Sequence, residues 1–418
     1  MKTFSKKLVS SALLPLFVIV GHVGSISAFG VVSKSAIGGR IATTSNSARE
    51  ANPKVISLDD AEASMQPLMQ LSSAHFASQA LRAVVQLGIP DILGSECMTV
   101  SEMASHVGAN DDIVNEDALQ RTLRLLVTVG ILQEKFEHKK YSFSLTNTGA
   151  LLQTNVPGQP CLAPVVQHWM ERPLWDSWLD LPDYIAGKGE RKLLPFDRAN
   201  GVSSDEFYGQ NNPDSLRFAN QFVRFISDGE VEAILKAFDW NSLSGKTVVD
   251  IGGHYGGIMS AVAKKFPEVK CICLDLPEVV LSAPPPPPGV EFVGGNVFDP
   301  STIPACNVIF MKHLLDKCMW DEEESIRILQ SCHSALPADG TVIIGEAVLP
   351  NHNDVGSTDN NFQLQMFMDA FFLLVGREGM RTEYEWSELA AQAGYTIQSI
   401  IPTSSPSCYL IVLQKAPT

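Results

Sequence analysis

Apolar residues recur at helical spacing between residues 65 and 87, at Leu68, Met69, Phe76, Ala80, Leu81, Val84 and Val85, and predict a long amphipathic helix. Leu87-Gly88-Ile89-Pro90 closes it and opens a short extended piece. Thr99 with Glu102 three residues on has the form of a capping box, predicting a short helix to Val107. A second apolar stripe, Leu119, Leu123, Leu126 and Val127, marks a helix over 116–129. The period then changes to alternation over 131–135 and 140–145, a hairpin closed by Thr146-Asn147-Thr148-Gly149. Helices followed by a two-stranded wing form a winged-helix pattern. A winged helix often binds DNA, but its third helix here carries only Arg121 and Arg124 among many leucines. A dimerisation module, its leucines seeking a partner, fits better.

Residues 161–238 read as helical and aromatic-rich, with Trp169, Trp175, Trp178 and Phe222. From residue 245 strands alternate with helices: strands at 246–251, 270–274, 308–311, 341–345, 395–400 and 409–413, and a helix at 258–266. The pattern predicts an α/β class, a doubly wound Rossmann-like domain preceded by an α-rich winged-helix domain. Pro284–Pro288 interrupts it as a stiff surface loop.

Composition supports a folded chain: 45% of the 418 residues are hydrophobic and 18% charged. The 31 Lys+Arg against 46 Asp+Glu give −15. Lys2, Lys6, Lys7, Lys34, Arg40 and Arg49 all precede the first acid, Glu50, so the remainder is more acidic still. That charge argues against nucleic acid or an anionic membrane as the main partner. The eight cysteines show no CxxC pair and no zinc spacing, so reduced thiols and no metal are expected.

The early cations flank an apolar run from Leu8 to Val20, with small residues Ser25, Ser27 and Ala28 behind it, the layout of a signal peptide over 1–28. Residues 29–55 follow with transit-peptide composition. The Ser27-Ala28-Phe29-Gly30 junction resembles bipartite plastid presequences of algae with secondary plastids. The expected destination is the plastid, the alternative is the secretory pathway, and no membrane span is expected in the mature form. The division that follows is a dimerisation domain at 56–160 and a helical connector with the second domain at 161–418.

The strand–turn–helix unit around Gly252-Gly253-His254-Tyr255-Gly256-Gly257 can cradle a ligand at a helix N-terminus. Asp275, at the end of the next strand, suits a ribose diol. Asp250 opens the turn, and a carboxylate there suits a cationic ligand such as S-adenosylmethionine better than a dinucleotide's phosphates.

These residues make the chain recognisable. Val248-Val249-Asp250-Ile251-Gly252-Gly253, Leu274-Asp275-Leu276-Pro277, Gly295-Asn296-Val297-Phe298, Phe310-Met311-Lys312 and Gly345-Glu346-Ala347-Val348-Leu349-Pro350 stand in order. Together they resemble the motifs of plant-type and hydroxyindole-type S-adenosylmethionine-dependent O-methyltransferases. The resemblance, over about residues 65–415, implies a homodimer, S-adenosyl-L-methionine as cofactor and a small-molecule methyl acceptor. It implies that Gly252 and Gly253 line the methionine part, that Asp275 with Leu276 meets the ribose, that Asn296 and Val297 flank the adenine, and that Lys312 contacts the cofactor. Trp178 and the 362–372 stretch, with Phe362, Met366 and Asp369, would wall the acceptor pocket.

Three positions depart from the family pattern. His254 replaces a glycine of the turn, and Asn296 replaces an aspartate. At the catalytic histidine's place, counted from Lys312, stands Asp316, with His313 three residues early and expected to point elsewhere. Of two acids that flank the base, Glu346 remains and Met380 replaces the other, leaving Asp316 and Glu346 as catalytic candidates. A phenol benefits from a base; a thioether has no proton to remove. The leading expectation is therefore S-methylation, as in the family's 4-methylthio-2-hydroxybutyrate S-methyltransferases of dimethylsulfoniopropionate synthesis. O-methylation of a phenolic or other hydroxylated metabolite is the first alternative, and a non-catalytic cofactor-binding scaffold the second.

Overall fold

In a computed structural model of the chain, the described residues are 54–417 apart from 108–113, 155, 190–192, 210–211, 318–319, 352–359 and 377. The expected signal peptide and nearly all of the transit-like segment lie outside them. No helix among the described residues is long and apolar enough to cross a membrane.

The first domain opens with helix α1 (Leu58–Gln86), whose N-cap Ser57 accepts a hydrogen bond from Asp60 N–H. Residues 89–93, expected to be extended, instead form the short helix α2 (Ile89–Leu93), because Pro90 sits in its first turn, where no N–H is required. Strand β1 (Met98–Thr99) leads into α3 (Val100–Val107), and Glu102 Oε2 accepts from Thr99 N–H at 2.7 Å as the capping box requires. Asn115 caps α4 (Glu116–Thr128). Strands β2 (Leu132–Glu137) and β3 (Lys140–Leu145) pair antiparallel about His138 and Lys139, whose φ values of 53° and 62° are those of a two-residue hairpin turn. β1 adds to β3, giving the order β1-β3-β2.

The leucines of α4 do not face a partner. Leu119, Leu123 and Leu126 are buried in this domain's own core, with Val84, Leu93, Met103 and Phe143. Among the described residues, α1 does carry an exposed apolar group: Leu68, Met69, Leu71 and Phe76 are 58–76% exposed.

Helices α5 (Ala163–Trp169), α6 (Arg172–Leu179) and the 25-residue α7 (Pro213–Ala237) connect to the second domain. Its sheet runs through β4 (Thr247–Ile251), β5 (Lys270–Asp275), β6 (Val290–Gly294), β7 (Val308–Lys312), β8 (Thr341–Glu346), β9 (Tyr395–Pro402) and β10 (Tyr409–Lys415). The spatial order is β6-β5-β4-β7-β8-β10-β9. β4 to β8 are parallel, and β10 pairs antiparallel with both β8 and β9.

Helices on both faces bury the central strands, which are apolar except toward their ends. Val248, Phe310 and Ile343 pack on one face, and Val249, Ile309 and Ile344 on the other, as the two-residue period dictates. Helix α8 (Gly257–Lys265) follows β4, α9 (Glu322–Ala335) precedes β8, and α10 (Asn360–Val375) and α11 (Glu383–Gln392) precede β9. The strand order reverses at β4, between β5 and β7, so a crevice forms beyond the carboxyl ends of these strands.

Candidate active site

The glycine turn leaves β4 at that crevice. Gly252 and Gly256 have φ of 74°, and His254, in a glycine's place, adopts the same left-handed region at 48°. Its ring lies tilted against Tyr255, with centroids 3.5 Å apart, and its backbone N–H donates to Asp275 Oδ2 at 2.9 Å. Leu276 N–H donates to Asp275 Oδ1 at 2.8 Å. Asp275 thus ties the turn to the end of β5, and burial raises its pKa. Burial also lowers the His254 imidazole to about 4, so the ring is neutral at pH 7.

Asp250 lies beneath the turn, 3% exposed. A Cβ on Gly253 would meet Asp250 Oδ2 at 2.7 Å and Cys273 Sγ at 3.0 Å. Gly253→Ala should therefore cost about 1–3 kcal/mol through overpacking. The expected result is a lower Tm and weaker cofactor binding, read by thermal unfolding with and without ligand. Burial pushes the Asp250 carboxyl up to about 8, against the pull of Lys312 and with help from Asp275. A carboxylate held so reluctantly favours a cationic ligand, which fits S-adenosylmethionine. Asn296 Oδ1 accepts from Phe298 N–H at 3.0 Å, which shapes the loop after β6. Val297 and Leu276, 2% and 8% exposed, pack into the core beneath it.

A second hollow of about 1150 Å³ opens beside this crevice. Trp169, Phe222, Leu364, Met368, Phe372 and Met380 give it apolar walls. His313, Asp316, Lys317, Glu346 and Ser407 supply polar lining. Asp316 and Glu346, the two expected catalytic carboxylates, thus border one cavity. Arg381, 2% exposed, fixes the segment before Asp316 by donating through Nη1 to Leu315 O and through Nη2 to Glu322 and Ser325. Lys317 Nζ is held by Glu385 Oε1 at 2.7 Å.

His313 does not point elsewhere. It is 4% exposed, with Nδ1 at 3.2 Å from Glu346 Oε2 and Nε2 at 2.9 Å from Glu230 Oε1. Lys312 Nζ lies 2.8 Å from Glu230 Oε2. Lys312 also acts electrostatically on Asp250 and Glu346, which couples the crevice to the hollow. Glu230, from the last third of α7, carried no motif to mark it in the sequence.

None of the four expected pocket residues lines the hollow. Trp178 sits on α6, 37% exposed. Phe362 lines a different cleft of about 620 Å³ with Val348 and Tyr409. Met366 is 39% exposed. Asp369 stands one step back: its Oδ1 accepts from Met380 N–H at 2.7 Å and so holds the loop whose Met380 and Arg381 do line the cavity. The face of α10 that lines the hollow is Leu364, Met368 and Phe372, the i, i+4, i+8 stripe. That spacing was readable in the sequence, but its phase was not.

Residues 178–396 match the O-methyltransferase domain family, and residues 69–155 match the O-methyltransferase dimerisation domain. The chain is 30% identical over 337 residues to flavone 3'-O-methyltransferase OMT1 of Chrysosplenium americanum, covering 78% of this chain and 92% of that protein. It is 31% identical over 369 residues to caffeic acid 3-O-methyltransferase of Clarkia breweri, covering 84% and 94%. Among solved structures it is similar to CalO1, a methyltransferase in calicheamicin biosynthesis bound to S-adenosylhomocysteine, at TM-score 0.70 and 25% identity over 87% of this chain and all of that one. Human N-acetylserotonin methyltransferase in complex with S-adenosylmethionine shares the fold, at TM-score 0.65 and 19% identity over 85% and 98%. The turn over Asp250, the crevice at the strand reversal and these matches agree: the chain is an enzyme of the S-adenosylmethionine-dependent O-methyltransferase family, a class I methyltransferase domain preceded by a helical dimerisation domain.

Proposed function

We propose that this enzyme methylates a hydroxyl of an aromatic or similarly apolar small molecule. The observation that carries the reading is the 1150 Å³ hollow, with Trp, Phe and Met walls and the carboxylates of Asp316 and Glu346 on its lining. Bound S-adenosylmethionine supplies an electrophilic methyl group. Asp250, Gly252 and Gly253 are the residues to hold its cationic end, and Asp275 with the Asn296 loop its nucleoside. The apolar walls position the acceptor and exclude water. Asp316 takes the hydroxyl proton; a phenol, with a pKa of about 10, gains from such a base.

One observation favours a second reading, S-methylation of a thioether such as 4-methylthio-2-hydroxybutyrate. Both ring nitrogens of His313 are engaged by carboxylates, and the family's base position carries Asp316, so no free imidazole faces the acceptor. A thioether needs none. The test is a parallel assay with methyl-labelled S-adenosylmethionine, a caffeate-like catechol and 4-methylthio-2-hydroxybutyrate, followed by product mass. A methylated catechol is the expected result. A methylated thioether with a silent catechol transfers the assignment to sulfur.

The dimerisation-domain match and the exposed apolar stripe of α1 support a homodimer, which a monomeric mass in solution would refute. The basic, apolar leader supports delivery to a plastid, and a fluorescent fusion to residues 1–55 tests that.

A further inference from the structure

Glu230 lies outside every motif of the sequence, yet it is fully buried. Three donors converge on its carboxylate: Lys312 Nζ at 2.8 Å, His313 Nε2 at 2.9 Å and Ser407 Oγ at 2.7 Å. They come from the end of β7 and from the loop before β10. The second nitrogen of His313, Nδ1, lies 3.2 Å from Glu346 Oε2. A carboxylate can only accept, and a neutral imidazole carries one N–H. A ring placed between two carboxylates therefore uses two N–H donors, which only the imidazolium has.

The backbone confirms that His313 is held there. Its φ of 49° is a conformation that residues with a Cβ rarely adopt. Its amide donates to Gly345 O at 3.0 Å, next to Glu346 on β8. Glu346 has a second bond: Oε1 accepts from Leu315 N–H at 3.1 Å. Leu315 immediately precedes Asp316, the carboxylate on the cavity lining.

We propose that His313, clamped as an imidazolium between Glu230 and Glu346, is the positioning residue of the acceptor site. Through Glu346 it fixes the backbone that presents Asp316, and Glu230 keeps its second proton in place. The inference deepens the methyl-transfer reading and rests on it.

The charged and titratable groups around the ring are Glu230 on α7, Glu346 on β8, Lys312 beside it on β7 and the Cys408 thiol before β10. Burial opposes the charge on His313, but the Glu230 carboxylate outweighs it and Lys312, and holds the ring up to about 9. Burial likewise opposes the charge on Glu230, and His313 and Lys312 outweigh it, holding that carboxyl well below its ordinary range. Burial keeps the Cys408 thiol protonated, its pKa raised well above the ordinary value. When the ring loses its proton, one of its two carboxylate bonds fails. Activity should then fall on the alkaline side, with a limb near pH 9.

The test is the pH profile of kcat for wild type and Glu230→Gln. Without the Glu230 countercharge, burial and Lys312 are opposed only by the hydrogen bond to Glu346. The alkaline limb of the variant should move below pH 7, so kcat at pH 8 falls by about tenfold or more relative to pH 6. A loss by the same factor at every pH would mean a merely structural role and overturns the proposal. A second measurement uses the wild-type protein and needs no acceptor. Nitrogen NMR of 15N-histidine protein, with the signal assigned by His313→Gln, should show both ring nitrogens protonated through pH 8. A neutral ring at pH 7 overturns the proposal whether or not Glu230→Gln folds. Failure of the hydroxyl-acceptor reading would look different: no methylated hydroxyl at any pH, with the imidazolium signal intact.

Discussion

Asp316→Asn should lower kcat for a phenolic acceptor by about 10²–10⁴-fold, the usual worth of a positioned general base. The side chain keeps its size, and its neighbours are held by other groups: Leu315 by Arg381 and Glu346, and Lys317 by Glu385. Cofactor affinity should stay within a few fold, because Asp316 lies on the acceptor hollow and not beneath the glycine turn. The loss should shrink as pH approaches the acceptor's own pKa, where the phenolate forms without help. With a thioether acceptor the same substitution should leave the shape of the pH profile unchanged, since there is no proton to take. Steady-state kinetics on both acceptors from pH 6 to 10 check this. An unchanged kcat with the phenol would remove Asp316 from the base role.

The second large effect concerns cofactor affinity. Burial holds Asp250 up to about 8, so below that pH the free protein carries a proton there. A cationic ligand calls for the carboxylate, so binding must expel the proton. Affinity for S-adenosylmethionine should then rise by about tenfold per pH unit and level off above about pH 8. Asp250→Asn should bind weakly and lack this slope. The difference between the two proteins cancels any titration of the ligand itself, and calorimetry at pH 6, 7 and 8 in two buffers counts the proton released. The sign for folding follows from the same shift. A carboxyl raised above its unfolded value keeps its proton in the native state across roughly pH 4 to 8, so the ligand-free enzyme loses stability as pH rises through that window. Equal slopes for wild type and Asp250→Asn would sink the assignment.

The cofactor crevice was legible in the sequence because it is local. Asp250, the glycine turn and Asp275 belong to consecutive strand ends, and a strand–turn–helix unit brings them together whatever the rest of the chain does. Even His254 announced itself as a residue standing in a glycine's conformation. The acceptor hollow was not local. Glu230 meets Lys312 across 82 residues and Ser407 across 177, and no spacing rule spans such distances. His313 was misplaced because counting along a strand assumes that the strand continues, whereas its left-handed φ turns the side chain inward. On α10 the wrong face was chosen: Phe362 and Leu364 differ by about 200° around a helix, so a two-residue error in phase exchanges lining for surface. The α4 leucines misled in the same way. Periodicity said that the stripe is buried, but not that its own hairpin and α1 do the burying.

The placement of β10 bears on how the enzyme is made. It is translated after β8 and β9, yet it lies between them. Until it emerges from the ribosome, β8 keeps a bare edge and Glu230 lacks Ser407, so neither the sheet nor the buried charge cluster can close. The core of the first domain draws only on residues 80–145, so it is free to fold while the rest is synthesised. The nascent protein therefore passes through a stage with a finished dimerisation domain and an open, sticky sheet edge behind it.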